Sequence, residues 1–465
     1  MANRCRCINC ITPPHILKKL LDNPDGKVRD AALRTLLATS RLRGERNVRG
    51  LVGFAAAASS QGRRTIFDCA NSTNLPSATA ARSEDGPTSS DDSVNRAFSG
   101  LGNTREFYKE IFDRDSLDGH GMALNGYVHY GAAYNNAFWD GSEMIFGDGD
   151  GVLFTDFTKS LDVIAHELTH GVTELTAGLE YHNQSGALNE SISDVFGSLV
   201  KQWAGKQPAD QADWLIGAEV FTPDIGGDAL RSMKEPGKAY NNPTLGRDPQ
   251  PDNMSKYVNL PDTDDGDNGG VHINSGIPNR AFYLTAIGIG GFAWEAPGHI
   301  WYTSLQASTP TTNFQEFADT TYLKAGQLYG SQSAEQQAVL SAWKEVGIRI
   351  SGVRALSGTT ARMRRQPVAA MGNGRDEDGA EVARKIEQMS GQLAALTKEV
   401  ASLRSKQAAL ERFQAKWRAV RVKKTRQIKN LEPRFVSDET GLQRSDRQGR
   451  SRDCFGPDRL LDRVA

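Results

Sequence analysis

The sequence predicts an α+β fold whose body is β-rich first and helical afterwards. Between residues 126 and 151, aromatic and aliphatic side chains alternate with polar ones and are broken by Gly, Asn and Asp clusters, as short strands and turns require. From Ser160 onward, apolar residues recur at helical spacing in successive stretches. Strands followed by a run of helices is the α+β order.

The elements follow in order. Pro13-Pro14 introduces a short helix, HILKKLLDN, and RDAALRTLLATSRLR supplies a second. Residues 71–93 are rich in Ser, Thr, Asp and Gly and read as loop. TREFYKEIFDR, starting at Thr104, reads as a helix before the strand region. Two helices are expected over Ser160–Thr176 and Leu188–Gly205, then a long irregular connection over Phe221–Gly270. Four more helices are expected over Ile273–Gly288, Gly298–Ser308, Asn313–Tyr329 and Ser333–Val346. Beyond a linker at 351–377, Val382, Ile386, Met389, Leu393, Leu396, Val400 and Leu403 step by four and three. A coiled coil over 378–420 that self-associates, and a single amphipathic helix, fit this spacing equally. Residues 421–465 read as a basic, disordered tail.

The chain has 465 residues and a formal net charge of −1, and the sum conceals its distribution. By our count residues 1–100 carry a net +6, residues 101–350 a net −18 and residues 351–465 a net +11. An acidic body therefore lies between two basic ends, and the basic tail is read as solvated rather than as nucleic-acid-binding. No stretch reaches the ~18 consecutive apolar residues of a membrane helix. The first residues lack the apolar segment of a secretory signal, so the expectation is a cytoplasmic protein or one exported without a recognisable signal peptide. The five cysteines, at 5, 7, 10, 69 and 454, avoid the acidic body, which argues against a disulfide-stapled fold.

The chemistry concentrates at residues 166–194. His166-Glu167-Leu168-Thr169-His170 is an H-E-x-x-H motif. Two histidines four apart leave one face of a helix together and can share a zinc ion. Glu167, beside them, can reach a water at an open coordination position. With 8 histidines in the chain, two surface histidines meeting this pattern by chance has an expectation on the order of 0.01. In GALNESISDVFG, Glu190 follows His170 by twenty positions and is read as the third ligand. A set of two His and one Glu leaves one position open, which is the catalytic arrangement. Asp194, four after Glu190, is placed to accept the second N–H of a ligating histidine. Metal-assisted hydrolysis follows, with Glu167 as proton acceptor and donor.

HELTH, with TAGLEYHNQSGALNESISDVFG after it, resembles the thermolysin family of zinc endopeptidases. So do YNNAFWDGSEMIFGDGDG before it and DNGGVHINSGI after it, and the likeness runs over roughly residues 60–350. CITPPHIL at 10–17 resembles the protealysin branch, whose precursors carry a short propeptide. The resemblance implies a two-lobe fold with the zinc-binding helix between the lobes. Its boundaries would be a propeptide at 1–55 that inhibits its own chain, a β-rich lobe at 56–165 and a helical lobe at 166–350. It implies cleavage of proteins and peptides on the N-terminal side of bulky apolar residues, by a zymogen that processes itself.

Residue by residue, the resemblance implies that Tyr181 and His272 stabilise the oxyanion and that Asp267 orients His272. Asn136 and the Ala137 carbonyl would hold the substrate backbone, and Arg231 the carbonyl beyond the scissile bond. Phe154, Val163, Ile216 and Leu230 would line the pocket after the scissile bond. Read from the residues alone, these four are ordinary core. At the family's double calcium site this chain has Asp162, Lys201, Asp213, Leu215 and Ala218. Two acids cannot give the six to eight oxygens calcium prefers, and Lys201 is expected to supply part of the missing charge. The Thr222–Asp228 loop leaves weak calcium binding open.

Cys5, Cys7 and Cys10 lack a fourth ligand at zinc-site spacing. Cys10 or His15 could lie near the catalytic zinc and silence the precursor; reduced thiols in a flexible arm are the plainer expectation. A maturation cut is expected between about residues 40 and 65, where the chain is rich in Arg, Gly and Ala. Two other functions compete. An inactive relative would bind peptides without cutting them, and would be expected to lose one of His166, Glu167, His170, Glu190, Tyr181 or His272. A zinc hydrolase of non-peptide substrates would have little use for Asn136 and Arg231.

Overall fold

A computed structural model describes residues 9–52, 63–225 and 229–351. The linker beyond Ser351, the candidate coiled coil, the basic tail, Cys5 and Cys7, and the last three residues of the Thr222–Asp228 loop lie outside the described residues.

The described residues begin with a two-residue strand, β1 (Asn9–Cys10), and two helices, α1 (Pro14–Leu20) and α2 (Gly26–Val52). Pro at the first position of α1 suits a helix start, where its missing N–H has no partner to lose. Ile16, Leu17 and Leu20 form the buried face of α1. The body opens with β2 (Arg64–Asp68), β3 (Thr79–Ser83) and α3 (Asp92–Phe112), followed by β4 (Leu124–Val128), β5 (Ala137–Trp139) and β6 (Met144–Phe146). One sheet runs in the order β1-β5-β6-β4-β2-β3. Thus β1 pairs antiparallel with β5, Asn9 opposite Trp139 and Cys10 opposite Phe138.

The strand region at 126–151 is therefore as expected, with three corrections around it. The stretch read as loop holds β3, β2 precedes it, and α3 starts twelve residues before Thr104. Asp91 caps α3, its carboxylate accepting from the N–H groups of Ser93 and Val94.

The helical part begins with α4 (Leu161–Glu174) and α5 (Asn183–Gly205). Two short strands, β7 (Leu215–Ile216) and β8 (Arg231–Ser232), pair with each other, and Asn241–Asn242 pairs with Gly246–Arg247, so the stretch read as irregular over Phe221–Gly270 holds short strands. The helices α6 (Asp267–Asn274), α7 (Gly276–Ile289), α8 (Ala296–Ala307), α9 (Phe314–Tyr329) and α10 (Ala334–Glu345) complete the described body. One apolar core joins the sheet to the helices, including Leu168 and Val172 of α4 and Ile192, Val195 and Phe196 of α5. Each such side chain contributes about 1.5–3 kcal/mol on burial, so the two metal-motif helices are held from both sides.

Candidate active site and metal centre

The H-E-x-x-H motif lies on α4, and both histidines are buried. Their Nε2 atoms are 3.1 Å apart. The outer nitrogens settle the protons. His170 Nδ1 faces Asn189 Oδ1 at 2.8 Å and Ser193 Oγ at 3.0 Å, and His166 Nδ1 lies 2.8 Å from Asp194 Oδ1. With the protons on Nδ1, both Nε2 lone pairs converge on one point. Glu190 joins them from α5, Oε2 at 3.6 Å from His166 Nε2 and Oε1 at 3.5 Å from His170 Nε2. Glu190 Oε2 is buried without a hydrogen-bond partner.

Three converging acceptors, with only the Tyr181 hydroxyl donating to Glu190 Oε1 and no partner on Glu190 Oε2, suit a cation. Tetrahedral ligands ~2.05 Å from zinc stand about 3.3 Å apart; the two Nε2 atoms are 3.1 Å apart, and each has one Glu190 oxygen within 3.6 Å. Among the described residues this is the group that could hold a metal ion. The donor set of two imidazoles and one carboxylate suits Zn2+.

Burial, helped by the neighbouring His166, pushes the His170 pKa well below its usual value, so it stays a neutral ligand. Burial, and then Glu190, raises the Glu167 carboxyl well above the usual range. Glu167 Oε2 accepts the Trp139 N–H at 3.1 Å, which ties the carboxylate to β5.

Asp194 is the hub behind the ligands. Burial opposes its charge, but Arg231 and His166 hold its pKa below the ordinary value. Arg231 Nε and Nη2 each donate to it at 2.8 Å, and Asn279 Nδ2 donates at 2.8 Å. Asn189 and Asn279 were not foreseen from the sequence. Both are amides in apolar helical stretches, where a buried polar group needs a partner, and that is the signal that could have found them.

His272 sits opposite the ligands. Burial lowers its pKa, but Asp267 and Glu190 overcome this and lift it to about 9. Its Nδ1 is 2.5 Å from Asp267 Oδ1, and its backbone N–H donates to Asp267 Oδ2 at 2.9 Å. Four successive residues, Asp267, Asn268, Gly269 and Gly270, have φ of 55, 48, 82 and 81°. This left-handed turn, which glycine permits, folds the Asp267 carboxylate back onto the ring. Tyr181 Oη lies 3.2 Å from His272 Nε2 and donates to Glu190.

The first residues of the chain occupy the space in front of this group. Cys10 C=O is 3.0 Å from His272 Nε2. Ile11 N–H donates to Ala137 C=O at 3.3 Å, Arg231 Nη1 donates to Ile11 C=O at 3.0 Å, and Thr12 N–H donates to Asn136 Oδ1 at 3.0 Å. Ile11 is fully buried in the same apolar cluster as Phe154, Val163, Ile216 and Leu230. The expectation of a soft Cys10 ligand is corrected: the Cys10 carbonyl faces the catalytic residues, while its side chain belongs to the apolar cluster of Tyr134 and Phe138. His15 is not a ligand either, because its Nε2 is 2.8 Å from Tyr240 Oη.

Where the resemblance implies the family's double calcium site, Lys201 Nζ lies 3.0 Å from both Asp162 Oδ2 and Asp213 Oδ2 and donates to Leu215 C=O at 3.3 Å. An ammonium thus stands among the oxygens that remain.

Comparison with known proteins fits this geometry. Residues 56–174 match the catalytic domain of thermolysin metallopeptidases, and residues 177–348 match their α-helical domain. An extracellular metalloprotease of Pectobacterium carotovorum subsp. carotovorum is 47% identical over 349 residues, 75% of this chain and 98% of the relative. A thermolysin of Alicyclobacillus acidocaldarius is 45% identical over 251 residues, 52% of this chain and 43% of its own. The precursor of protealysin, a metalloproteinase of Serratia proteamaculans, aligns with a TM-score of 0.65 and 46% identity, covering 73% of this chain and 99% of that one. The two domain matches span more than half of the chain, and it belongs to the thermolysin family of metallopeptidases, on the protealysin side of it.

Proposed function

We propose that this chain is a neutral zinc endopeptidase, made as a precursor that its own N-terminal segment keeps silent. The reading rests above all on the buried triangle of His166, His170 and Glu190 with Glu167 next in sequence to His166. Zn2+ held by these three residues would supply Lewis acidity to the scissile carbonyl and to the attacking water.

The protein's own groups do the rest. Glu167 takes the water proton and returns it to the leaving nitrogen, and its raised pKa favours holding that proton in transit. Tyr181 and His272 donate to the developing oxyanion, and Asp267 fixes the His272 ring. The substrate adds as a strand beside β5, held by Asn136, the Ala137 carbonyl and Arg231. Phe154, Val163, Ile216 and Leu230 form the pocket that selects a bulky apolar residue after the cut bond. Among the described residues no helix is long and apolar enough to cross a membrane. The extracellular relative favours export.

The test is cleavage of a peptide with Leu or Phe after the scissile bond, by chain whose N-terminal segment has been removed. Cleavage should stop with a zinc chelator, return with Zn2+, and fall by about four orders of magnitude in Glu167→Gln. Zinc bound at one per chain without cleavage would instead favour a peptide-binding protein.

A further inference from the structure

The bond between Cys10 and Ile11 lies across the catalytic groups in the polarity and register of a substrate. Reading along the chain, Cys10 C=O meets His272, Ile11 N–H meets Ala137 C=O and faces the Glu167 carboxylate, and Ile11 C=O meets Arg231. Thr12 N–H then meets Asn136, and the Ile11 side chain is fully buried in the apolar cluster that also holds Phe154, Val163, Ile216 and Leu230. A segment running the other way would bring an N–H, not a C=O, to His272. Inhibition by steric cover alone would need none of this order.

We propose that the precursor hydrolyses its own Cys10–Ile11 bond, and that the new N-terminus at Ile11 stays in the cleft as a bound product. The proposal rests on the endopeptidase reading above. The water oxygen bonds to the Cys10 carbonyl carbon and its proton passes to Glu167. The carbon–nitrogen bond then breaks and Ile11 nitrogen leaves with that proton; the second water proton, on the new Cys10 carboxyl, passes on to the Ile11 amine, giving a carboxylate at Cys10 and an ammonium at Ile11. Water is the co-reactant.

The cut need not release the enzyme. Downstream of Ile11 the segment stays anchored by Ile16, Leu17 and Leu20 in the core, by His15 on Tyr240 and by Lys18 on Asp265. Removal of the whole segment then requires a later, separate cut. Because the chain carries the bond to its own catalytic residues, the first cut is first-order, with the advantage that a positioned intramolecular reaction has.

The test uses the full-length zinc-loaded chain, followed by intact mass and N-terminal sequencing at several dilutions. A species beginning at Ile11 should accumulate at a rate independent of protein concentration and be absent in Glu167→Gln. Ile11→Asp, which cannot seat in an apolar pocket, should slow it roughly tenfold or more. A second readout needs no turnover of the precursor: the peptide of residues 11–17 should compete with substrate for the processed enzyme, and the same peptide with Asp at its first position should not. Cleavage of added Leu and Phe peptides by the processed enzyme, with no Ile11 species formed from the precursor, overturns this proposal and leaves the endopeptidase reading standing. A rate proportional to concentration also overturns it, since one chain would then be cutting another. No cleavage of any bond, in chain or peptide, overturns both.

Discussion

Asp194 shows how much rests on one side chain. It is fully buried, faces His166 Nδ1, and receives both a bidentate Arg231 and the Asn279 amide. Asp194→Ala would leave Arg231, itself 1% exposed, as an uncompensated buried charge, a loss of about 3–5 kcal/mol. The same change frees the ring of His166, and such partners of metal-binding histidines are worth about 10–100-fold in metal affinity. Asp194→Asn keeps the shape without the charge and separates the two effects. Thermal melts and competition with a coloured zinc chelator should show both falling in the alanine variant. Unchanged zinc affinity there would mean that Asp194 serves Arg231 alone. The candidate ligands were legible because their spacing is short: His166 and His170 stand four apart on one helix, and Glu190 follows twenty positions later on the next. Asn279 was not, since it lies 85 residues from Asp194 and only the packing of α7 against α5 brings them together.

At the level of elements, the crossing of α4 and α5 builds the site. Gly197 makes it close: a Cβ there would stand 2.6 Å from the Asp162 backbone oxygen and 3.3 Å from His166 Cβ. Gly197→Val would have to push the helices apart, and overpacking of this kind costs about 1–3 kcal/mol. The displacement falls on His166 and Glu190 together, so zinc affinity should drop further than stability alone predicts. A melt combined with a zinc titration tests this, and Gly205→Ala at the exposed end of α5 is the control expected to leave zinc affinity unchanged. The helices of the second half were readable because each buries one apolar stripe. The elements that escaped lack such a stripe. The β3 strand, TAARS, lies at the sheet edge and buries none of its five residues fully, so no alternation marks it. The first half of α3 contains Gly100 and Gly102, each costing about 1 kcal/mol of helix propensity, which blurred its start. Two-residue β1 is set by its partner strand β5 and by the cleft, and nothing local announces it.

Across the whole molecule, the N-terminal helix and the acidic body meet at an interface that contains a half-buried histidine. His15 Nε2 bonds to Tyr240 Oη, while its buried Nδ1 finds no partner. Burial lowers its pKa from 6.5 to about 4; Asp267 works against this, and His272 and Arg231 add to it. The sign follows directly. A group whose pKa is depressed on docking resists protonation there, so its contribution is fully present above pH 6.5 and is lost as the pH falls through about 4. Between pH 7 and 5.5 the docked segment should open roughly tenfold more often, on the linkage relation for one group. Lys18 and Asp265 add a pair at the same interface, but Asp265 is almost fully exposed and screened, so His15 dominates the change. Hydrogen exchange of the α1 amides in full-length Glu167→Gln, which cannot cut itself, measures the opening without loss of the segment. His15→Gln keeps a donor for Tyr240 but carries no titrating proton, and should flatten the pH dependence while preserving protection at pH 7. An equal loss of protection in that variant would place the pH response elsewhere in the interface. A flattened profile would make acid exposure a control on when the precursor opens, set by a single half-buried ring in its first turn of helix.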